Sequence, residues 1–200
     1  MNKNILATSV FVWCVLAFTS HSSLEAVIPE LTKEDVQEAV KYGADNKDVD
    51  YVEFFKDWRL DLGYGTGSAR VITPFSKIAF EAKHAAAAGE PVDKDVVEGI
   101  IEGSKGKLAI GMAIYGDSKA FAQEAVAVIE QDGKTIEPIE SRPAMKAEPT
   151  DFWPNAPAYR AICYYYFPMD KLDPNGKATV VVSIPDQRGV RFEFDLSGMR

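Results

Sequence analysis

From Lys107 to the C-terminus the chain repeatedly alternates large apolar side chains with small or polar ones, and this period of two constrains its fold more than any other feature. Leu108, Ile110, Met112 and Ile114 form one row, with Ala109, Gly111 and Ala113 between them. Tyr159, Ala161, Cys163, Tyr165 and Phe167 form a second row, and Val190, Phe192, Phe194 and Leu196 a third. Successive side chains of a strand point to opposite faces, so each row predicts a strand with one face in a core. The small side of the first row would let another element approach closely. Asp132-Gly133 predicts a type I′ turn between strands over 122–130 and 134–139, because such a turn needs positive φ at both central residues. A connection rich in proline, with Pro143, Pro149, Pro154 and Pro157, leads to the strand over 158–167. Asp173-Pro-Asn-Gly176 and Asp186–Gly189 predict turns on either side of a Val-rich strand over 178–184.

Before Lys107 the period becomes helical. Thr32, Asp50 and Asp93 are N-cap residues that each follow an apolar residue, and Val36, Phe54 and Val97 sit where a hydrophobic staple needs them. The first helix is expected over 33–42, stopping at Gly43 and burying Val36, Ala39 and Val40. Tyr51, Phe54, Phe55 and Trp58 recur at helical spacing and predict a short second helix that docks an aromatic stripe. A strand then starts near Trp58, with Leu60, Leu62 and Tyr64 on the same side, and returns through Gly65-Thr-Gly67 into a strand over 68–72. Thr73-Pro74 starts a third helix over 75–88 that buries Phe75, Ile78, Ala79 and Ala82 and leaves His84 on the solvated face with Lys77 and Glu81. The fourth helix, over 93–102, is expected to bury Val96, Val97, Ile100 and Ile101.

Short strands joined by hairpin turns, with no βαβ alternation after Lys107, predict an α+β fold. N-terminal helices would pack on an antiparallel immunoglobulin-like β-sandwich of about seven or eight strands. The likeness is one of architecture, since the tryptophan and cysteine pattern of true immunoglobulin domains is absent. Residues 27–200 are expected to form a single globular domain, mainly helical with a hairpin over 27–106 and sandwich over 107–200.

The segment 1–26 reads as a secretory signal peptide that is cleaved off. Lys3, the uncharged and mostly apolar Ile5–Phe18 stretch, and the polar run to Ala26 follow the order of its three regions. Fourteen residues fall short of the ~20 that span a bilayer as a helix, so no stable membrane span is expected after cleavage. The expected location is secreted or periplasmic. Cleavage would remove Cys14 and leave Cys163 with no cysteine to pair with, so the fold must rest on packing. The chain carries 30 Asp and Glu against 22 Lys and Arg, a net charge of −8. That balance, without a basic patch, argues against nucleic acid as a partner.

Catalytic constellations are missing from the pattern. There is no Gly-x-Ser-x-Gly elbow and no His-Glu-x-x-His, and neither a metal nor a cofactor is implied. Gly63-Tyr-Gly65-Thr-Gly67 has Ser68 where a dinucleotide fingerprint needs glycine, so it reads as tight turns. The acidic runs at 45–50 and 170–173 do not follow the ligand order of an EF-hand. A carboxylate-based secreted hydrolase, glycosidase-like, is the alternative, because two suitably spaced acids suffice for that chemistry. The leading expectation is a binding module. Phe152-Trp153-Pro154 leads into Tyr159 and the triple Tyr164–Tyr166, and a strand here turns Tyr164 and Tyr166 away from Tyr165. Either the N-terminal helices cover that second face or it is a flat aromatic surface. Trp153, Tyr159, Tyr164 and Tyr166 are the candidate ligand-binding residues, for an envelope or secreted protein partner or a saccharide.

Overall fold

The computed structural model describes residues 31–185 and 189–200; the expected signal segment and most of the expected Asp186–Gly189 turn lie outside them. The described residues form an α+β fold with four α-helices and ten strands in two antiparallel sheets. Among them no helix is long and apolar enough to cross a membrane.

Helix α1 (Lys33–Asp45) opens on a capping box in which the Thr32 hydroxyl accepts from the Asp35 amide and the Asp35 carboxylate accepts from the Thr32 amide. It does not stop at Gly43. That residue is buried inside the helix because α1 lies tightly on α3 (Pro74–Ala88) there, and α1 ends two residues later. Ala39 is buried as expected, whereas Val36 and Val40 are half-buried. Helix α2 (Tyr51–Phe54) is capped by Asp50, whose carboxylate accepts from the Val52 and Glu53 amides. It docks Phe54 and Phe55, with Trp58 after them, while Tyr51 stays exposed. Helix α3 starts at Pro74 behind a Thr73–Ser76 capping box and buries the four expected residues. His84 is exposed, its ring 4.3 Å from that of Phe80. Helix α4 (Lys94–Ser104) buries Val97 and Ile100, but Val96 is exposed and Ile101 half-buried, so its apolar stripe is narrower than the four residues read for it.

The larger sheet has the order β1–β2–β3–β8–β6, where β1 is Arg59–Asp61, β2 Ser68–Ile72, β3 Lys107–Gly116, β6 Glu140–Arg142 and β8 Tyr159–Pro168; β7 (Glu148–Pro149) also pairs with β8. The smaller sheet runs β10–β9–β4–β5, from Val190–Asp195, Lys177–Ser183, Val126–Gln131 and Lys134–Ile136. Two of these strands, β6 and β7, lie within the Pro-rich connection, which carries no alternation to announce them. Strand β1 ends at Asp61, so Leu62 and Tyr64 belong to the following turn and are exposed instead of sharing the side of Trp58. At the β4–β5 turn Asp132 and Gly133 have φ of 51° and 73°, as the sequence required.

The expected apolar rows form the core. Leu108, Ile110, Met112 and Ile114 of β3 lie in register with Phe167, Tyr165, Cys163 and Ala161 of β8. They belong to one apolar cluster with Ile129, Val180, Val182, Phe192 and Phe194 of the smaller sheet and with Phe54, Phe75 and Ile78 of the helices. Each large side chain fully removed from water there contributes about 1.5–3 kcal/mol. The buried Tyr165 hydroxyl donates to the Ala125 carbonyl at 2.7 Å, and burial pushes the phenol well above its ordinary pKa.

Candidate functional site

The opposite face of the larger sheet holds the residues of interest. Pairing places Arg70, Gly111 and Tyr164 in one cross-strand row, Ser68, Ala113 and Ile162 in the next, and Tyr115 with Arg160 beyond it. Strand β3 offers almost no side chain here, so it forms the floor of a trough with β2 and β8 as walls. A methyl group added to Gly111 would sit 3.1 Å from Tyr164 Cε1 and 3.2 Å from Ile72 Cδ1, so the tyrosine ring leans over the floor where glycine leaves room. The trough has a volume of about 150 Å³, with Tyr51 and Arg160 also on its walls. Ile162 and Tyr164 are 40% and 39% exposed, values that place them in contact with solvent instead of under the helices.

The Arg70 end of this face is covered by aromatic rings. The Arg70 guanidinium lies 4.0 Å from the Phe55 ring centroid and 5.6 Å from that of Tyr51. Burial lowers its pKa, although a guanidinium keeps its charge at neutral pH. Further along, Tyr166 is half-buried between two cations, with Lys107 Nζ 5.6 Å and Arg142 Cζ 5.0 Å from its ring.

The four aromatic residues singled out from sequence do not form one cluster. Tyr164 and Tyr166 share the outer face. Tyr159 has the parity of the core row and lies at the other end of β8, where its hydroxyl accepts from Trp153 Nε1 at 3.1 Å. Trp153 itself is 56% exposed. Beside this pair stands a group that sequence reasoning did not assemble: the Tyr64 ring lies 5.1 Å from Tyr115 and 4.9 Å from Phe152. These three come from the β1–β2 turn, the end of β3 and the Pro-rich connection. The parity of Tyr115 with Gly111 and Ala113 was a usable signal; nothing in the sequence joins it to Tyr64 or Phe152. Tyr115 pairs with Arg160, so the aromatic group continues the outer face past the trough.

Other candidates have structural roles. Cys163 is fully buried, and burial raises the pKa of its thiol. The glycine-rich segment is the β1–β2 turn, where the Gly67 amide donates to the Gly63 carbonyl. Asp173 caps its own turn by accepting from the Asn175 amide. A depression of about 440 Å³ beside Phe121 carries two acids, Asp117 and Glu124, both exposed. Among the described residues no three His, Cys, Asp or Glu side chains gather as a metal site would require. No protein-family model matches the chain, and no curated protein matches it.

Proposed function

We propose that the protein is an exported module that acts by binding a polypeptide partner through the outer face of its larger sheet. The observation that carries this reading is solvent-facing Ile162 and Tyr164 beside Arg70 and Arg160, with exposed Tyr64 and Phe152 grouped at Tyr115, the cross-strand neighbour of Arg160. Aromatic residues and arginine are the types enriched at protein interfaces, and a contiguous exposed patch of them is unusual on a surface with no partner. Size supports a macromolecule over a small ligand, since a trough of about 150 Å³ is well below the ~300–1,000 Å³ of small-molecule pockets. The finer architecture in this reading is an immunoglobulin-like sandwich, supported by the shared core of the two sheets. Export rests on the signal-like pattern of 1–26.

A photo-crosslinking amino acid at position 162, introduced in the native host, tests the docking face. The expected product is a crosslinked polypeptide, absent when the same group replaces Val126, an exposed residue of the other sheet. Equal products at both positions, or an adduct removed by glycosidases, would overturn the proposal. N-terminal sequencing of the processed protein should begin at Val27; retention of Met1 would remove export from the reading.

A further inference from the structure

We infer that the trough on the outer face takes acidic side chains of its polypeptide partner, held by Arg70 and Arg160. This rests on the reading of that face as the docking surface and names the chemistry it recognises.

Six arginines lie among the described residues, and four of them are neutralised within the chain. Arg59 pairs with Asp61, Arg142 with Glu140, Arg191 with Glu130 and Arg200 with Glu38. The two that have no ion pair, Arg70 and Arg160, line the same trough, and among the described residues no carboxylate lines it with them. Glu148 is the cross-strand neighbour of Arg160 in the β7–β8 register, yet it stays outside ion-pair distance. In a chain with eight more acids than bases, two uncompensated guanidinium groups in one depression form a local positive site against the sign of the whole. Arg70 is the better organised of the pair. Its planar head rests on the Phe55 ring, which limits its freedom before any ligand arrives, and partial burial strengthens its attraction for an anion.

Geometry favours an extended peptide. The rows of Arg70 and Arg160 are four residues apart along β3, from Gly111 to Tyr115, or roughly 13 Å at the rise of a strand. Arg70 stands on the β2 wall and Arg160 on the β8 wall, so acidic side chains on opposite edges of an extended segment would meet the two arginines, and an apolar residue between them on the β8 side would meet Ile162 and Tyr164. The shallow floor of Gly111 and Ala113 lets such a segment lie close to the sheet.

Random peptides displayed against the immobilised full chain provide the test. Selected sequences should be enriched in Asp and Glu beside an aliphatic or aromatic residue. Their binding should fall at least ~10-fold for Arg70→Gln with Arg160→Gln, and weaken with added salt. Arg160 is exposed, so Arg160→Gln alone serves if the Arg70 variant unfolds. Peptides without acids, selected by the parent chain and lost on Tyr164→Ala, would overturn the acidic anchor and leave the docking face standing. No selection at all, or arginine-dependent binding of oligogalacturonate in place of peptides, would overturn both.

Discussion

A glycine in the middle of a helix normally costs stability relative to alanine by about 0.5–1 kcal/mol, so Gly43→Ala in α1 would be expected to help. Here the sign reverses. A Cβ at this position would lie 2.0 Å from the Ala79 carbonyl oxygen and 2.8 Å from the Lys83 backbone nitrogen, and backbone cannot swing aside as a side-chain tip does. The variant should therefore lose about 1–3 kcal/mol in urea unfolding, the usual range for overpacking. A gain in stability would show that α1 and α3 stand farther apart than described. Lys83 supports the same junction. Only 9% exposed, its ammonium donates to the carbonyls of Asn46, Lys47 and Val49 and so satisfies the chain where it leaves α1. Lys83→Met keeps the stem and removes the donor to all three carbonyls, leaving Asn46 with the Val49 amide and Lys47 with solvent, and should cost roughly 1–3 kcal/mol by the same measurement.

At the scale of elements, β8 tests whether alternation controls stability and binding separately. Tyr165→Phe removes the donor to the Ala125 carbonyl from a fully buried site and should cost about 1–3 kcal/mol. Tyr164→Ala, on the face 39% exposed, should cost no more than ~1 kcal/mol while abolishing the photo-crosslink or peptide binding. Comparable losses of stability from both would mean that the outer face is covered by the protein's own helices. This strand was legible in the sequence because Ala161, Cys163, Tyr165 and Phe167 repeat over a full length of strand; the same holds for β3, β9 and β10. Strands β6 and β7 were not legible, since segments of three and two residues show no period and exist because the β8 edge offers them partners. Gly43 misled for a related reason: a glycine that ends a helix and one that admits a neighbouring helix look alike until the neighbour is known. The site was legible only in part. Tyr164 and Tyr166 followed from parity, but the meeting of Tyr64 with Phe152 depends on the packing of two loops, and the importance of Arg70 and Arg160 rests on which acids lie near them.

Across the whole molecule, the C-terminus is tied to the helices that begin the described chain. The Arg200 carbonyl accepts from Trp58 Nε1 at 2.8 Å and from the Thr73 hydroxyl at 2.5 Å, while its guanidinium makes a two-pronged pair with Glu38 of α1 and lies 5.0 Å from the Phe75 ring. Strands after Lys107 and helices before it are thereby joined beyond their shared core. The pair has a pH signature. The hydrogen bond from Arg200 holds the Glu38 carboxyl below its ordinary value of 4.5, so folding favours the ionised form. A depressed carboxyl contributes stability that is complete above 4.5 and disappears as pH falls through the lower folded value. Glu38→Gln should therefore unfold at lower urea than the parent at neutral pH, and the difference should close in acid. Both partners face solvent, so added salt should narrow it at neutral pH as well. A difference that persists unchanged into acid would mean that Glu38 acts by packing its stem against α1 and the C-terminus, and that its charge does not join the two ends of the fold.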